Sequence, residues 1–326
     1  MALLDVRDLS IELGRVQPLD AVRFTVDRGQ TLGLVGESGS GKSLTAMTLM
    51  GLLPTLRGRV RSGAILFDGR DLARLPDTEY RGLRGRRIAL VMQNPMTSLD
   101  PMQTVGAQID EAARLHLGLD ADGARRRSVE TMERLRIPSA SAMHGRYPHQ
   151  LSGGMRQRIV IAMALAGDPD LIIADEPTTA LDVTVQAQIV QLLSELVATR
   201  DLALLLITHD MGVVAQACDR VAVLYAGRIA ESGPVADIFS APRHPYTRAL
   251  IDCIPREGQP RGTLVGIAGQ VPGLVSYPPG CRFAPRCPRA GADCAAVRPP
   301  LTALGTAQVA CLHPLDAPQR GETRDG

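Results

Sequence analysis

The stretch that decides the fold is Gly36-Glu37-Ser38-Gly39-Ser40-Gly41-Lys42-Ser43. It matches the pattern G-x-x-x-x-G-K-[ST], in which the backbone N–H groups of a glycine-rich loop surround phosphate oxygens. A short apolar run, 31–35, precedes it, and residues 44–50 follow with helical character. We therefore predict a phosphate-binding loop, with the Lys42 ammonium on the β- and γ-phosphates and the Ser43 hydroxyl on Mg²⁺.

Lys42 is the only lysine in the chain, and every other basic residue is an arginine. A compact ammonium fits between phosphates inside a tight loop, whereas a planar guanidinium does not. The single lysine therefore favours a functional phosphate loop over a chance match.

Composition narrows the class of protein. The 326 residues are 45% hydrophobic and 21% charged, which suits a globular chain of one large domain or two ordinary ones. The net charge of +2 and the aromatic content of 3% give no indication of a nucleic-acid partner. We find no apolar run near the ~18 residues of a membrane span and no signal peptide, so we expect a cytoplasmic protein.

Polar residues stand at the ends of three predicted buried strands. Ligands of α/β sheets bind at the carboxyl ends of strands. We predict that Asp175 holds Mg²⁺ and that Glu176 polarises the attacking water. The strands with their terminal residues are 88–92 with Gln93, 171–176 with Asp175 and Glu176, and 202–208 with His209.

A second helix start follows Leu151. Ser152, Gly153 and Gly154 precede a long apolar run, so a hydroxyl and unshielded backbone N–H groups would face an anion there. Residues 104–143 are mostly helical in pattern, and the arginine-rich stretch 81–87 is predicted to be a solvated basic face. Further strands are predicted at 3–13, 21–26 and 63–69, with a closing hairpin over 221–231.

Five motifs in one order resemble the ATPase subunit of an ATP-binding cassette (ABC) transporter over about residues 1–235. They are the phosphate loop, Gln93, the signature Leu151-Ser152-Gly153-Gly154-Met155-Arg156-Gln157-Arg158, Asp175-Glu176 and His209. The resemblance implies an α/β P-loop NTPase fold that hydrolyses ATP with Mg²⁺. It also implies an ATPase domain over 1–240, with an inserted helical subdomain at about 94–160, and an extension over 241–326.

The resemblance also implies roles for the strand-end residues. Gln93 would sense the γ-phosphate and Mg²⁺, Glu176 would be the general base, and His209 would hold the γ-phosphate. Asp182 would communicate between paired sites. Mg²⁺ would be bound by Ser43, Gln93 and Asp175.

Two such cassettes would pair head to tail. Each ATP would then lie between one phosphate loop and the partner's signature residues, Ser152, Gly153, Gly154 and Gln157. The family usually stacks adenine on an aromatic residue near the position of Leu13, which is not aromatic. We therefore expect apolar side chains to contact adenine, and the sequence does not fix which base is preferred.

A narrower resemblance, to the dipeptide/oligopeptide and nickel importer branch, rests on three stretches of sequence. It implies a second, related ATPase subunit, two integral-membrane permease subunits and an extracytoplasmic solute-binding protein, with this chain on the cytoplasmic face of the membrane. Dipeptides, oligopeptides, a nickel complex and a glutathione-like solute all remain possible cargo. The stretches are 93–101, 243–247 and 280–288.

Four cysteines lie in a proline-rich segment with little apolar content, which has difficulty folding without a metal or other cross-link. Their spacings are wider than the paired C-x₂₋₄-C of common zinc sites, which favours an iron–sulfur cluster over Zn²⁺. Resemblance to the importer branch implies a [4Fe-4S] cluster there. His313 is an alternative to Cys311, and unligated thiols are a third interpretation. The cysteines are Cys281, Cys287, Cys294 and Cys311.

Three other classes of ATPase are rivals to the importer interpretation. A DNA-repair or chromosome-maintenance ATPase would carry long coiled coils or large zinc inserts, and a translation-associated cassette protein usually has two cassettes. The sequence has no heptad run and one set of motifs. Export is the closer rival, and the importer-like C-terminal stretches argue against it.

Overall fold

The computed structural model of the protein describes residues 2–179, 181–255, 258–260, 262–263 and 266–316. The strands are β1 (Leu4–Leu13), β2 (Val16–Val26), β3 (Thr31–Val35), β4 (Gly58–Phe67), β5 (Arg70–Asp71), β6 (Ile88–Val91), β7 (Leu171–Asp175), β8 (Ala203–Thr208), β9 (Arg220–Tyr225), β10 (Arg228–Pro234), β11 (Thr302–Leu304) and β12 (Ala307–Val309). The helices are α1 (Lys42–Leu49), α2 (Asp77–Arg81), α3 (Pro95–Ser98), α4 (Val105–Leu117), α5 (Ala121–Arg134), α6 (Ala140–Met143), α7 (Gly153–Ala166), α8 (Val183–Arg200), α9 (Met211–Ala217), α10 (Val235–Ser240) and α11 (Pro245–Asp252).

The larger sheet is mixed and has the order β11-β12-β10-β9-β3-β8-β7-β6. Strands β9, β3, β8, β7 and β6 are parallel neighbours, and β10, β12 and β11 extend the sheet antiparallel. Strands β3 and β8 are buried along their whole length, since the sheet is covered on both faces, and this explains their continuous apolar runs. The mixed sheet around the phosphate loop is thus confirmed.

The register of this sheet brings the predicted strand ends together. Val35 pairs with Thr208, and Asp175 pairs with Ile207, so β3, β7 and β8 end side by side. Strand β6 ends at Val91, next to β7. The residues that follow these strands therefore share one edge of the sheet, as the sequence predicted.

A second, antiparallel sheet with the order β2-β1-β4-β5 was not predicted. Its strands β1 and β2 alternate buried and exposed positions over much of their length, and their buried side chains pack against the larger sheet and α1 in one apolar core. Strand β2 begins at Val16, earlier than expected, because β1 and β2 form a tight hairpin at Gly14 with a positive φ of 58°. This sheet lies on one face of the phosphate-loop strand.

Helices α3 to α7 occupy the chain between β6 and β7. Side-chain caps begin the three longest of them: Thr104 for α4, Asp120 for α5 and Ser152 for α7. Their apolar faces form a core that continues onto the sheet and α8. Among the described residues, no helix is long and apolar enough to cross a membrane.

The described residues of the extension pack on the larger sheet. Strand β12 pairs with β10, so the extension adds two strands to the larger sheet. The rings of Tyr225, Tyr246 and Phe283 meet with centroids 4.6 to 5.3 Å apart and join a core that includes Val35 and Ala307. The extension is therefore anchored directly behind the end of β3.

Candidate nucleotide-binding site

The phosphate loop runs from the end of β3 to the start of α1. A Cβ atom at Gly36 would lie 2.1 Å from the carbonyl oxygen of Leu224, so only glycine fits there. Gly41 has a φ of 107°, and a Cβ atom would lie 2.6 Å from the Leu19 side chain. The glycine spacing of the motif is therefore set by close packing against strands β2 and β9.

Lys42 and the loop are held by internal hydrogen bonds. The Lys42 Nζ donates to the carbonyl oxygens of Gly36 at 2.7 Å and Glu37 at 3.0 Å. Burial lowers the pKa of Lys42, opposed by the carboxylates of Glu176, Asp175 and Glu37. An anion in the loop would supply the negative charge that this buried ammonium lacks.

Asp175 ends β7 beside the phosphate loop. Burial raises its pKa, while the Ser43 hydroxyl and the Lys42 ammonium oppose that rise. Its Oδ1 atom is buried and has no hydrogen-bond partner among the described residues. An orphaned carboxylate oxygen beside a serine hydroxyl is an oxygen-donor set suited to Mg²⁺. The residues present therefore fit the metal that the sequence predicts.

The carboxylate of Glu176 is surrounded by donors. Its Oε2 accepts from Gln93 Nε2 at 2.9 Å and from the Thr179 hydroxyl at 2.8 Å, and His209 Nδ1 lies 3.2 Å from Oε1. Burial alone would raise its pKa, but the contacts from Thr179, His209 and Lys42 outweigh burial and lower it. Glu176 is thus kept as a carboxylate, the form that a general base requires.

One cavity of about 1020 Å³ joins these groups. The phosphate loop forms one wall, and Gln93, Glu176 and His209 line it at the strand ends. Leu250, residues 269–271 and Leu274 contribute from the C-terminal part of the chain. The structure therefore brings the loop and the three strand-end residues to one place.

Two sequence models match this chain: the ABC transporter family over residues 19–179, and the C-terminal region of oligopeptide/dipeptide transporters over residues 230–294. The dipeptide transport ATP-binding protein DppD of Bacillus subtilis is 48% identical over 301 residues, covering 91% of this chain and 90% of the relative. DppD of Escherichia coli is 46% identical and covers 97% of this chain and 98% of the relative. The chain belongs to the ABC transporter ATPase family.

Solved structures agree with the fold. The dimeric post-hydrolysis structure of the ATP-binding cassette MJ0796, bound to ADP and Pi, superimposes with a TM-score of 0.63 at 26% identity. The match covers 71% of this chain and 98% of the MJ0796 chain. CbiO1 of Clostridium perfringens, part of the transporter complex cbiONQ, gives a TM-score of 0.65 at 27% identity. The ABC chain described here is accordingly an ATPase.

The signature residues of this ABC ATPase lie apart from its nucleotide cavity. Ser152 and Gly153 are exposed at the start of α7, where the Ser152 hydroxyl accepts from the N–H of Met155 at 3.4 Å. Gly154 is half-buried, and a Cβ atom there would lie 2.6 Å from Val185 on α8. None of these residues is among the described residues that line the cavity.

Gln157 is placed differently from the other signature residues. It is 1% exposed, and its Nε2 atom is buried without a hydrogen-bond partner in the described part of the chain. The structure therefore does not bring Gln157 to the exposed start of α7 together with Ser152 and Gly153. Residues four positions apart lie on the same face of a helix. Gln157 therefore shares the inward face of α7 with the buried Ile161.

Asp182 and Leu13 have local structural roles in the ABC fold. Asp182 caps α8, with its Oδ1 accepting from the N–H of Val185 at 2.9 Å. Leu13 lies at the end of β1 opposite Gly58 and is absent from the described lining of the nucleotide cavity. No phenylalanine, tyrosine or tryptophan is among the described residues that line this cavity. The extension contributes the apolar side chains of Leu250, Val271 and Leu274 to the cavity lining.

Two residues of the extension that sequence reasoning did not single out contact the phosphate loop. The Tyr246 hydroxyl accepts from the N–H of Glu37 at 2.9 Å. The Arg286 guanidinium donates to both carboxylate oxygens of Glu37, at 2.6 and 3.0 Å. These pairs are separated by 209 and 249 residues, so no local pattern could have indicated them.

The four predicted cysteine ligands line one small cavity of about 10 Å³, together with His244 and His313. All four are free of disulfides. Burial raises the pKa of three of these thiols, to about 11 for Cys311, and negative charge on neighbouring thiols would raise it further.

A tighter group lies at the rim of that cavity. Among the described residues, one group of possible metal ligands has all its ligand atoms within 4.8 Å of one another: Asp293, Cys294 and His313. His313 Nε2 lies 2.9 Å from Asp293 Oδ1. Sequence reasoning included Cys294 and His313 but missed Asp293. The exposed Asp293–His313 pair also suits an ordinary surface ion pair.

Proposed function

We propose that this chain is the ATP-hydrolysing subunit of an ABC importer for dipeptides, oligopeptides or a related small solute. The observation that carries the proposal is the Glu176 carboxylate, held by Gln93, Thr179 and His209 in the same cavity as the phosphate loop. The peptide class is supported by the dipeptide-transport names of relatives aligned along nearly the whole chain.

The chemistry would be in-line attack of water on the γ-phosphate of ATP. Glu176 would take the proton of that water, and Lys42 would stabilise charge on the β- and γ-phosphate oxygens. Gln93 and His209 flank the carboxylate and would position the water and the γ-phosphate. Mg²⁺, held by Ser43 and Asp175 with Gln93 nearby, would neutralise charge on the phosphates.

A second, homologous ATPase subunit would complete the site. Ser152, Gly153 and Gly154 lie outside the cavity of their own chain, as expected if they contact the ATP of a partner. Gln157 would join them only after a change at the start of α7. Asp182, at the cap of α8, would transmit the state of one site to the other. We expect the partner to be a different chain, giving a heterodimer.

Membrane partners would bind near Gln93. Three methionines close to it in sequence, Met92, Met96 and Met102, are 55%, 56% and 82% exposed. Exposed apolar side chains of this kind favour a protein partner. Two permease subunits would dock on this side of the helical subdomain, and an extracytoplasmic binding protein would deliver the solute. The chain would thus sit on the cytoplasmic face of the membrane.

The four cysteines would bind a metal centre, with a [4Fe-4S] cluster favoured over Zn²⁺. A single zinc ion needs all its ligand atoms within a few ångströms, and the four sulfurs are not such a set, whereas each cysteine of a cluster binds a different iron. Iron and zinc assays after anaerobic purification would decide between them. Loss of iron in Cys281→Ser but not in His313→Ala would support the cluster, and zinc lost in His313→Ala would support the tighter group.

Reconstitution tests the importer function. The chain would be combined in vesicles with candidate permease and partner ATPase subunits, and ATP-dependent uptake of a labelled dipeptide would be measured with the parent and with Glu176→Gln. Uptake that requires Glu176 would support the proposal. Phosphate release without any dipeptide or oligopeptide uptake would leave an ATPase of another solute class.

A further inference from the structure

Two side chains of the extension hold the phosphate loop from outside the ATPase motifs, and one of them, Arg286, does so through a charged pair. Arg286 donates to both oxygens of the Glu37 carboxylate, at 2.6 and 3.0 Å. The Arg286 side chain is 4% exposed and that of Glu37 is 29% exposed, so water competes little for the pair. A two-pronged arginine–carboxylate contact fixes direction as well as distance.

The rest of the same guanidinium holds a second part of the nucleotide cavity. Its Nε donates to the carbonyl oxygen of Ala268 at 2.8 Å, and Nη2 lies 3.3 Å from that of Ile267. The next residues in the chain, 269–271, line the nucleotide cavity. One side chain therefore ties the phosphate loop to a second segment of the cavity wall.

Glu37 is fixed at its backbone as well. Its N–H donates to the Tyr246 hydroxyl, and its carbonyl oxygen accepts from Lys42 Nζ at 3.0 Å. Movement of the Glu37 side chain would therefore disturb the carbonyl that orients Lys42. The path from Arg286 to the phosphate-binding ammonium passes through one residue.

We propose that Arg286 is a positioning residue for nucleotide binding: it holds Glu37, and through Glu37 the phosphate loop and Lys42, in the shape that accepts Mg-ATP. Arg286 itself makes no contact with the reacting groups. The proposal rests on the ATPase function proposed above. It assigns to the extension a direct part in the nucleotide site.

The test is equilibrium binding of Mg-ATP to the full-length protein. Arg286→Gln and Glu37→Gln should each weaken binding about tenfold, because the apparent affinity falls with the fraction of molecules whose loop is competent. The double variant should bind no more weakly than the weaker single variant, since both changes remove one contact. Arg289→Gln, an exposed arginine three residues along the same loop, is the matched control and should bind as the parent does.

Hydrogen exchange of the peptide that contains residues 36–43, measured without nucleotide, gives a readout independent of ATP. Exchange should be faster in Arg286→Gln and Glu37→Gln and unchanged in Arg289→Gln. If Arg286→Gln fails to fold, Arg286→Lys keeps the charge without the two-pronged contact and should show a smaller loss in both measurements.

Parent-like affinity and exchange in a folded Arg286 variant would overturn the proposal. So would additive losses in the double variant, or an equal loss in Arg289→Gln. A parent protein that does not bind Mg-ATP would instead refute the proposed ATPase function. In that case the exchange measurement still decides whether Arg286 holds the loop.

Discussion

Replacing Glu176 by glutamine is the sharpest test of the proposed chemistry. The change keeps the size of the side chain and removes its negative charge. Gln93 and Thr179 can still donate to the remaining carbonyl oxygen, since both now donate to Oε2. The fold and the shape of the cavity should therefore persist while the base is lost.

The expected loss follows from the role of the carboxylate. General-base assistance contributes about 10²- to 10⁴-fold to a rate, so turnover at saturating Mg-ATP should fall by that factor. This corresponds to about 3 to 5 kcal/mol in the activation free energy. Binding of Mg-ATP should persist, because Lys42 and the phosphate loop are unchanged. ATP should accordingly accumulate on the protein instead of being hydrolysed.

Two measurements test this: the rate of phosphate release and the equilibrium binding of Mg-ATP. Glu195→Gln is the control variant. Glu195 lies on α8, where it pairs with Arg136 at 2.7 Å and accepts from Gln191 Nε2 at 3.0 Å, so the same substitution there changes surface contacts away from the site. Its turnover should match that of the parent. A Glu176→Gln protein that binds Mg-ATP and turns over at the parent rate would refute the assignment of Glu176 as the base.

Two further predictions follow from contacts of the site. Thr179→Val removes a hydrogen bond that lowers the pKa of Glu176, so the acid limb of the pH–rate profile should move to higher pH while the rate at neutral pH changes little; an unmoved limb would contradict the assignment. Tyr246→Phe leaves the N–H of Glu37 without its acceptor and should lower the free energy of unfolding by about 1 to 3 kcal/mol, measured by denaturant titration; parent stability would show that the bond is dispensable.

The parts of the site that could be predicted from sequence are those encoded by local order. A glycine-rich loop between a strand and a helix predicts a phosphate site, and polar residues at strand ends predict the side chains around it. Parallel pairing of β3, β8 and β7 then brings Glu176 and His209 together in the structure, at 3.2 Å. No long-range information was needed beyond the rule that such strands form one sheet.

Contacts between side chains that are distant in the chain could not be predicted in this way. The stretch 81–87 was predicted to be a solvated basic face, yet Arg84 donates to the carbonyl oxygens of Met50 and Gly51, and Arg87 pairs with Asp170 and stacks on Phe67. Half of that prediction is therefore wrong. An arginine is long enough to bury its stem and reach a remote acceptor, and sequence gives no sign of which arginines do so.

The extension shows how a segment without apolar periodicity can still have a defined structure. Its order comes from few, specific contacts to distant residues: aromatic packing of Phe283 on Tyr225, β12 pairing with β10, and the two-pronged bond from Arg286 to Glu37. Cys287 directly follows Arg286, and both stand at the end of one short helical turn over 284–286. Any metal bound through Cys287 would therefore lie next in the chain to the arginine that contacts Glu37, and that contact is one that sequence periodicity could not indicate.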